Sequence, residues 1–212
     1  MELSNLLLFF LTSCLLAVTP GPDNLFVLTH SATMGMRSAM VVVCGLCTGL
    51  IVHTVIVVTG LAALIQSHDY ALSVIQYAGV VYLLWLAYQS FKSTMQSTSS
   101  EVSNEQSVHR ISLRALYARG IVMNITNPKV GFFFIAFLPQ FVIEGGWEYS
   151  VQLLTLGGVF IVSTLLCFGI IAFLASSLKN IYANNSRAEN WMNRIASLVF
   201  VGLAVRLGLT EI

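Results

Sequence analysis

Long apolar runs separated by charged positions dominate the first part of the chain. Twenty uncharged residues lie between Glu2 and Asp23, and 31 lie between Arg37 and Asp69. A further 22 uncharged residues lie between Asp69 and Lys92. A helix needs about 20 mainly apolar residues to cross the hydrocarbon core of a bilayer. The pattern therefore predicts three membrane-spanning helices before residue 92.

The second part of the chain repeats this pattern after one polar interruption. Residues 92–119 are rich in Ser, Asn, Glu and Arg, and they predict the one extended loop outside the bilayer. Residues 120–143 are apolar except for Lys129, and residues 149–178 carry no charge. Residues 191–209 form a weaker apolar run with Arg near both ends. The sequence thus predicts an all-α integral membrane protein with six transmembrane helices.

The composition supports this fold class and excludes several others. Of 212 residues, 57% are hydrophobic and only 9% are charged, with a mean hydropathy of +0.83. A soluble domain carries about 25% charged residues. These values exclude a soluble enzyme and a disordered chain, and a net charge of +1 argues against nucleic acid as a partner.

The distribution of Lys and Arg predicts the orientation. Eight of these residues fall in the first, third and fifth predicted loops, and none falls in the N-terminal segment or the second and fourth loops. Cytoplasmic loops carry an excess of Lys and Arg. Both termini are therefore expected to lie on the non-cytoplasmic side of the membrane.

Two of the predicted spans contain helix-breaking residues. The first is interrupted at residues 19–24, where Pro20, Gly21 and Pro22 remove two backbone donors and prevent a continuous helix. The fourth is interrupted at Asn127-Pro128-Lys129. Non-helical backbone at membrane depth is tolerated only where protein or a water-filled cavity satisfies it. Paired breaks in two halves of a chain indicate a transporter binding site.

The positions of the breaks predict an internal repeat within a single membrane domain, residues 1–212. A first three-helix unit at residues 1–91 is followed by a cytoplasmic loop at 92–119 and a second unit at 120–212. Because three is an odd number of spans, the second unit enters the membrane from the opposite side. The two units are therefore expected to form inverted repeats.

Each break also carries a charge at similar depth. With a rise of about 1.5 Å per residue, Asp23 lies roughly 21 Å from the cytoplasmic Arg37, and Lys129 lies roughly 15 Å from the cytoplasmic Arg119. The hydrocarbon core is about 30 Å thick, so both charges are expected near its middle. They predict either a mutually compensated pair or the two ends of a substrate site.

These motifs resemble those of the LysE/RhtB family of amino-acid exporters. The resemblance rests on Thr19-Pro20-Gly21-Pro22-Asp23-Asn24, Asn127-Pro128-Lys129 and Phe137-Leu138-Pro139-Gln140-Phe141, and it covers essentially the whole chain. It implies a multi-pass secondary exporter of the inner membrane that exchanges an amino acid or derivative for protons. Its implied partners are that substrate, protons and the lipid bilayer, with no cofactor, and a second copy in a homodimer is a further candidate.

The two charged residues each allow two interpretations. Asp23 is either the N-cap of a helix beginning at Asn24, or a carboxylate that carries a proton or binds the ammonium of a substrate. Lys129 either caps the C-terminal end of a half-helix or pairs with Asp23, or it holds the carboxylate of a substrate or lowers the pKa of Asp23.

The uncharged candidate residues are assigned mainly structural roles. Asn124 and Asn127 are expected to satisfy backbone groups freed by the break, and His53 is either a buried imidazole bonded to a hydroxyl or a proton relay. No catalytic or metal-ligating constellation is recognisable, since Cys44-x-x-Cys47 stands alone. The predicted site comprises Pro20, Gly21, Pro22, Asp23, Asn24, His53, Asn124, Asn127, Pro128 and Lys129. A channel and a divalent-metal exporter of the cadmium type remain as alternative functions.

Overall fold

A computed structural model describes residues 2–19, 21–67, 71–95, 112–143, 145–177 and 186–209. All regular structure in these segments is helical. The helices are α1 (Leu3–Val18), α2 (Pro22–Met34), α3 (Met36–Ser67), α4 (Ala71–Met95), α5 (Leu113–Ile125), α6 (Pro128–Phe132), α7 (Tyr149–Ser177) and α8 (Ser186–Leu209). A π-helical turn (Phe133–Phe137) and a 3₁₀ turn (Leu138–Phe141) continue α6. The predicted all-α fold class is therefore confirmed at this level.

Both predicted breaks are present. The axes of α1 and α2 differ by 66°, and the axis of α5 differs by 50° from that of the segment Pro128–Phe141. In each case the chain resumes as a helix with a proline in its first turn, where the missing N–H costs no intrahelical bond.

Three helices within the described residues are long and apolar enough to cross a membrane, and up to five spans result if each bent pair counts as one. The three are α3, α4 and α7, over Met36–Gly60, Ser73–Lys92 and Tyr149–Ser177. In α8 only Phe200–Leu209 is a short apolar segment. The sixth predicted span is thus not confirmed.

The loop predicted at residues 92–119 is shorter than expected. Helix α4 continues to Met95, and α5 already begins at Leu113. The reason for the early start is Ser112, whose side chain accepts a hydrogen bond from the backbone N–H of Ala115 at 3.2 Å and caps the helix. Residues 96–111 of the predicted loop lie outside the described residues.

The helices form two close pairs, and α7 packs against three other helices. Helix α3 lies along α5, α4 lies along α8, and α7 contacts α1, α2 and α3. Gly45 and Gly120 allow the α3–α5 contact, because a Cβ atom on Gly45 would lie 2.2 Å from the carbonyl oxygen of Tyr117 and 3.0 Å from the Cα of Gly120. The Gln76 side chain joins α4 to α8 by donating to the Leu207 carbonyl at 2.6 Å.

An aromatic core supports the second break. Phe133, Phe134 and Phe137, on the turn after α6, are buried against Phe9 of α1 and Phe160 of α7. Large buried aromatic side chains supply much of the packing energy in such a core. The core therefore anchors the second break to the helix that carries the first.

Candidate functional site

The first break frees backbone carbonyls at the end of α1. In a continuous helix the N–H of each residue bonds to the carbonyl four residues earlier, so a proline at position 20 leaves the Leu16 carbonyl without its donor. The Lys129 ammonium donates to this carbonyl at 3.3 Å and to the Thr19 carbonyl at 3.1 Å. Pro20 itself lies outside the described residues. Lys129 is therefore a cap on the C-terminal end of α1, one of its two sequence-based interpretations.

The carbonyl freed by the second proline of this break is bound by the side chain of Asn24. Pro22 leaves the Val18 carbonyl without the N–H four residues later. The Asn24 side-chain NH₂ donates to the Val18 carbonyl at 3.2 Å and to the Ala17 carbonyl at 2.8 Å. Unpaired carbonyls in a buried site cost free energy, so this amide stabilises the bend.

The second break is compensated in the same way from α3. Pro128 leaves the Asn124 carbonyl without its helical donor. This carbonyl accepts from His53 Nε2 at 3.1 Å and from the backbone N–H of Asn127 at 3.0 Å. Because a carbonyl only accepts, the Nε2 atom of His53 carries the proton. The expected hydroxyl partner of His53 is thus wrong, and the imidazole instead replaces the amide that the proline lacks.

Asn127 links the two breaks directly. Its side-chain oxygen accepts from the backbone N–H of Lys129 at 3.0 Å, which makes Asn127 the N-cap of α6. Its NH₂ group donates to Asp23 Oδ2 at 2.7 Å. A residue of one break therefore holds the carboxylate of the other.

Asp23 does not act as an N-cap. Helix α2 begins at Pro22, and the N-cap position is occupied by Gly21, whose backbone is extended (φ −170°). Asp23 falls inside the first turn, where a carboxylate is stabilised by the positive end of the helix dipole. Its carboxylate is turned toward Asn127 instead of toward the N–H groups of its own helix.

The two charges of the site are buried close to each other. Asp23 is 3% exposed and Lys129 is 7% exposed. Within the described residues they form no direct ion pair, because Asn127 binds the carboxylate and the α1 carbonyls bind the ammonium. An isolated buried charge is costly, and a buried charge of opposite sign nearby lowers that cost. A role for the two charges as a compensated pair or as the two ends of a substrate site stays a prediction.

Three side-chain oxygens at the breaks are buried and have no hydrogen-bond partner. They are Oδ1 of Asp23, Oδ1 of Asn24 and Oδ1 of Asn124. Buried polar atoms are nearly always paired in proteins, so such atoms call for an explanation. No group of three or more His, Cys, Asp or Glu suited to a metal ion occurs among the residues that the structure describes.

Two glycines allow the close approach of these side chains. A Cβ atom on Gly21 would lie 3.2 Å from the Lys129 ammonium nitrogen and 3.9 Å from Asn24 Oδ1. A Cβ atom on Gly49 of α3 would lie 2.6 Å from Asn124 Oδ1. Gly49 is not among the residues predicted for the site, and its close approach to Asn124 adds it to the site.

The sequence matches the LysE type translocator family over residues 14–211. It is 26% identical over 210 residues to the uncharacterized membrane protein YrhP of Bacillus subtilis (strain 168), covering 97% of this chain and 99% of that protein. It is 28% identical over 208 residues to an uncharacterized membrane protein of Vibrio cholerae serotype O1, covering 98% of both chains. No solved structure matches it. A family match over almost the whole chain, on a helical fold broken at two prolines, places this membrane protein in the LysE type translocator family.

Proposed function

We propose that this translocator exports an amino acid or an amino-acid derivative across the inner membrane by proton antiport with alternating access. The observation that carries the proposal is the buried carboxylate of Asp23, with one oxygen bound by Asn127 and the other without a partner. Ionisable groups within membrane proteins are costly and usually functional. A carboxylate with one oxygen free of hydrogen bonds is suited to bind a cationic group.

Competition for one oxygen would couple the two fluxes. Asp23 Oδ1 can form a bond to a proton or accept a hydrogen bond from a substrate ammonium, but the two compete for the same lone pairs. Release of the substrate would therefore accompany protonation, and loss of the proton would favour binding. This exchange is the physical basis of the proposed antiport.

The proposed architecture is six spans in two inverted three-helix units, residues 1–91 and 120–212, with both termini on the non-cytoplasmic side. The hydrogen bonds of Lys129 to α1 and of Asn127 to Asp23 connect these units. In alternating access one unit rocks against the other around the site, so these bonds mark where the units meet. A homodimer in the lipid bilayer is compatible with this arrangement.

Transport into inverted membrane vesicles tests the proposal. Vesicles containing the protein are given each labelled amino acid, with an acidic interior or with no proton gradient. We expect uptake of at least one amino acid that rises with the gradient and collapses when an ionophore dissipates it. Vesicles without the protein provide the baseline.

Other outcomes would distinguish the alternatives. Uptake that follows only the substrate gradient would indicate a channel and would contradict antiport. Cadmium uptake without uptake of any amino acid would indicate a metal exporter. Either result would overturn the proposed function.

A further inference from the structure

The side-chain donors at the two breaks bind groups of the protein itself. The Lys129 ammonium donates to the Leu16 and Thr19 carbonyls, and the Asn24 NH₂ donates to two further carbonyls of α1. The Asn127 NH₂ donates to Asp23 Oδ2. A substrate carboxylate, which can only accept hydrogen bonds, would have to displace one of these contacts.

The atoms at the breaks that have no hydrogen-bond partner are acceptors, whereas the side-chain donors described above are already bonded. Oδ1 of Asp23 and Oδ1 of Asn24 are acceptors on neighbouring residues of α2, and both residues are more than nine-tenths buried. The orientation of the Asn24 amide is fixed because its NH₂ makes two hydrogen bonds to α1 carbonyls. Rotating the amide would sacrifice both bonds, so this oxygen stays an acceptor.

We propose that this site recognises its substrate through the ammonium group and that the substrate carboxylate is dispensable for binding. The inference rests on the proposed transport function and narrows its substrate class to compounds with a protonated primary amine, including amino-acid amides. A primary ammonium has three donors, which suits a carboxylate oxygen and a neighbouring amide oxygen.

The hydrogen bonds of Lys129 support recognition of the substrate ammonium instead of its carboxylate. If the ammonium of Lys129 moved to a substrate carboxylate, the buried Leu16 and Thr19 carbonyls would lose a donor at a bend where the prolines supply no N–H. A substrate carboxylate placed beside Asp23 would also be repelled by the carboxylate there. An amide in place of the carboxylate removes that repulsion and keeps the amine.

Binding of matched analogues to the purified full-length protein tests the inference. For each standard amino acid with an uncharged side chain, the free acid, its amide and its N-acetyl form are added to the protein in detergent. Thermal stabilisation over a concentration series gives the apparent affinity of each form. The exposed carboxylate variant Glu148→Gln serves as the control for non-specific charge effects.

For the amino acids that bind, we expect the amide to bind within about threefold of the free acid and the N-acetyl form about 10- to 100-fold more weakly. The second figure corresponds to the loss of a charge-assisted hydrogen bond. Glu148→Gln should reproduce the wild-type ratios. Asp23→Asn should abolish the difference between the amide and the N-acetyl form.

Three results would overturn the inference. These are N-acetyl forms that bind as well as the free acids, amides that bind as weakly as N-acetyl forms, or no stabilisation by any amine-bearing probe. The proposed function is judged separately by transport. Amine-dependent binding without uptake of any amino acid into vesicles would refute the exporter and leave the ammonium site standing.

Discussion

Replacing Lys129 by Met removes the ammonium that caps α1 while keeping most of the aliphatic stem. The Leu16 and Thr19 carbonyls, which accept from this ammonium at 3.3 and 3.1 Å, would both lose that donor. A buried group left without its partner costs about 1–3 kcal/mol, so two carbonyls give a loss of about 2–6 kcal/mol in the free energy of unfolding. Loss of the positive charge near Asp23 acts in the same direction.

Equilibrium unfolding in detergent micelles measures this change. The control is Lys92→Met, at an exposed lysine near the end of α4, for which we expect a change within about 0.5 kcal/mol. If Lys129 instead served mainly to hold a substrate carboxylate, Lys129→Met would unfold like the wild type and lose only substrate affinity. Wild-type stability in Lys129→Met would therefore refute the capping role.

Three further substitutions, one of them a control, test the packing and the second break by the same unfolding measurement. Gly45→Ala places a Cβ atom 2.2 Å from the Tyr117 carbonyl oxygen and should destabilise the protein by about 1–3 kcal/mol. The control is Gly60→Ala, which has open space around it and should stabilise the protein by up to about 1 kcal/mol. His53→Phe removes the side-chain donor to the Asn124 carbonyl and should cost about 1 kcal/mol. An unchanged Gly45→Ala protein would contradict the close α3–α5 contact, and an unchanged His53→Phe protein would contradict the role of the imidazole as a cap.

The helix breaks could be predicted from the sequence because their cause is local. A proline lacks a backbone N–H wherever it stands, so Pro22 and Pro128 indicate interrupted helices without any knowledge of the fold. The spans of α3, α4 and α7 are equally local, since length and hydropathy decide them. The start of α5 was missed because the Ser112 cap lies inside a polar stretch that resembled a loop.

The partners of the freed carbonyls could not be predicted in the same way. Lys129 and Leu16 are 113 residues apart, and the imidazole that caps the Asn124 carbonyl comes from α3. These contacts depend on how α3, α5 and α1 pack, which no local pattern specifies. The sequence predicted that Asp23 and Lys129 form a compensated pair or a substrate site, because opposite charges at one depth compensate each other, and the structure buries both side chains. It did not indicate that the Asn127 side chain would bind both the Asp23 carboxylate and the backbone N–H of Lys129.

The role of Asp23 in transport is the central claim, and gradient-driven uptake by three variants tests it most directly. Asp23→Asn removes the charge, Glu148→Gln removes an exposed carboxylate as a control, and Asp23→Asn with Asn127→Asp exchanges the two partners of the 2.7 Å hydrogen bond. We expect Asp23→Asn to abolish proton-driven uptake, Glu148→Gln to retain it, and the exchanged pair to recover part of it because a carboxylate again lies between the breaks. Proton-driven uptake at the wild-type rate by Asp23→Asn would contradict the account.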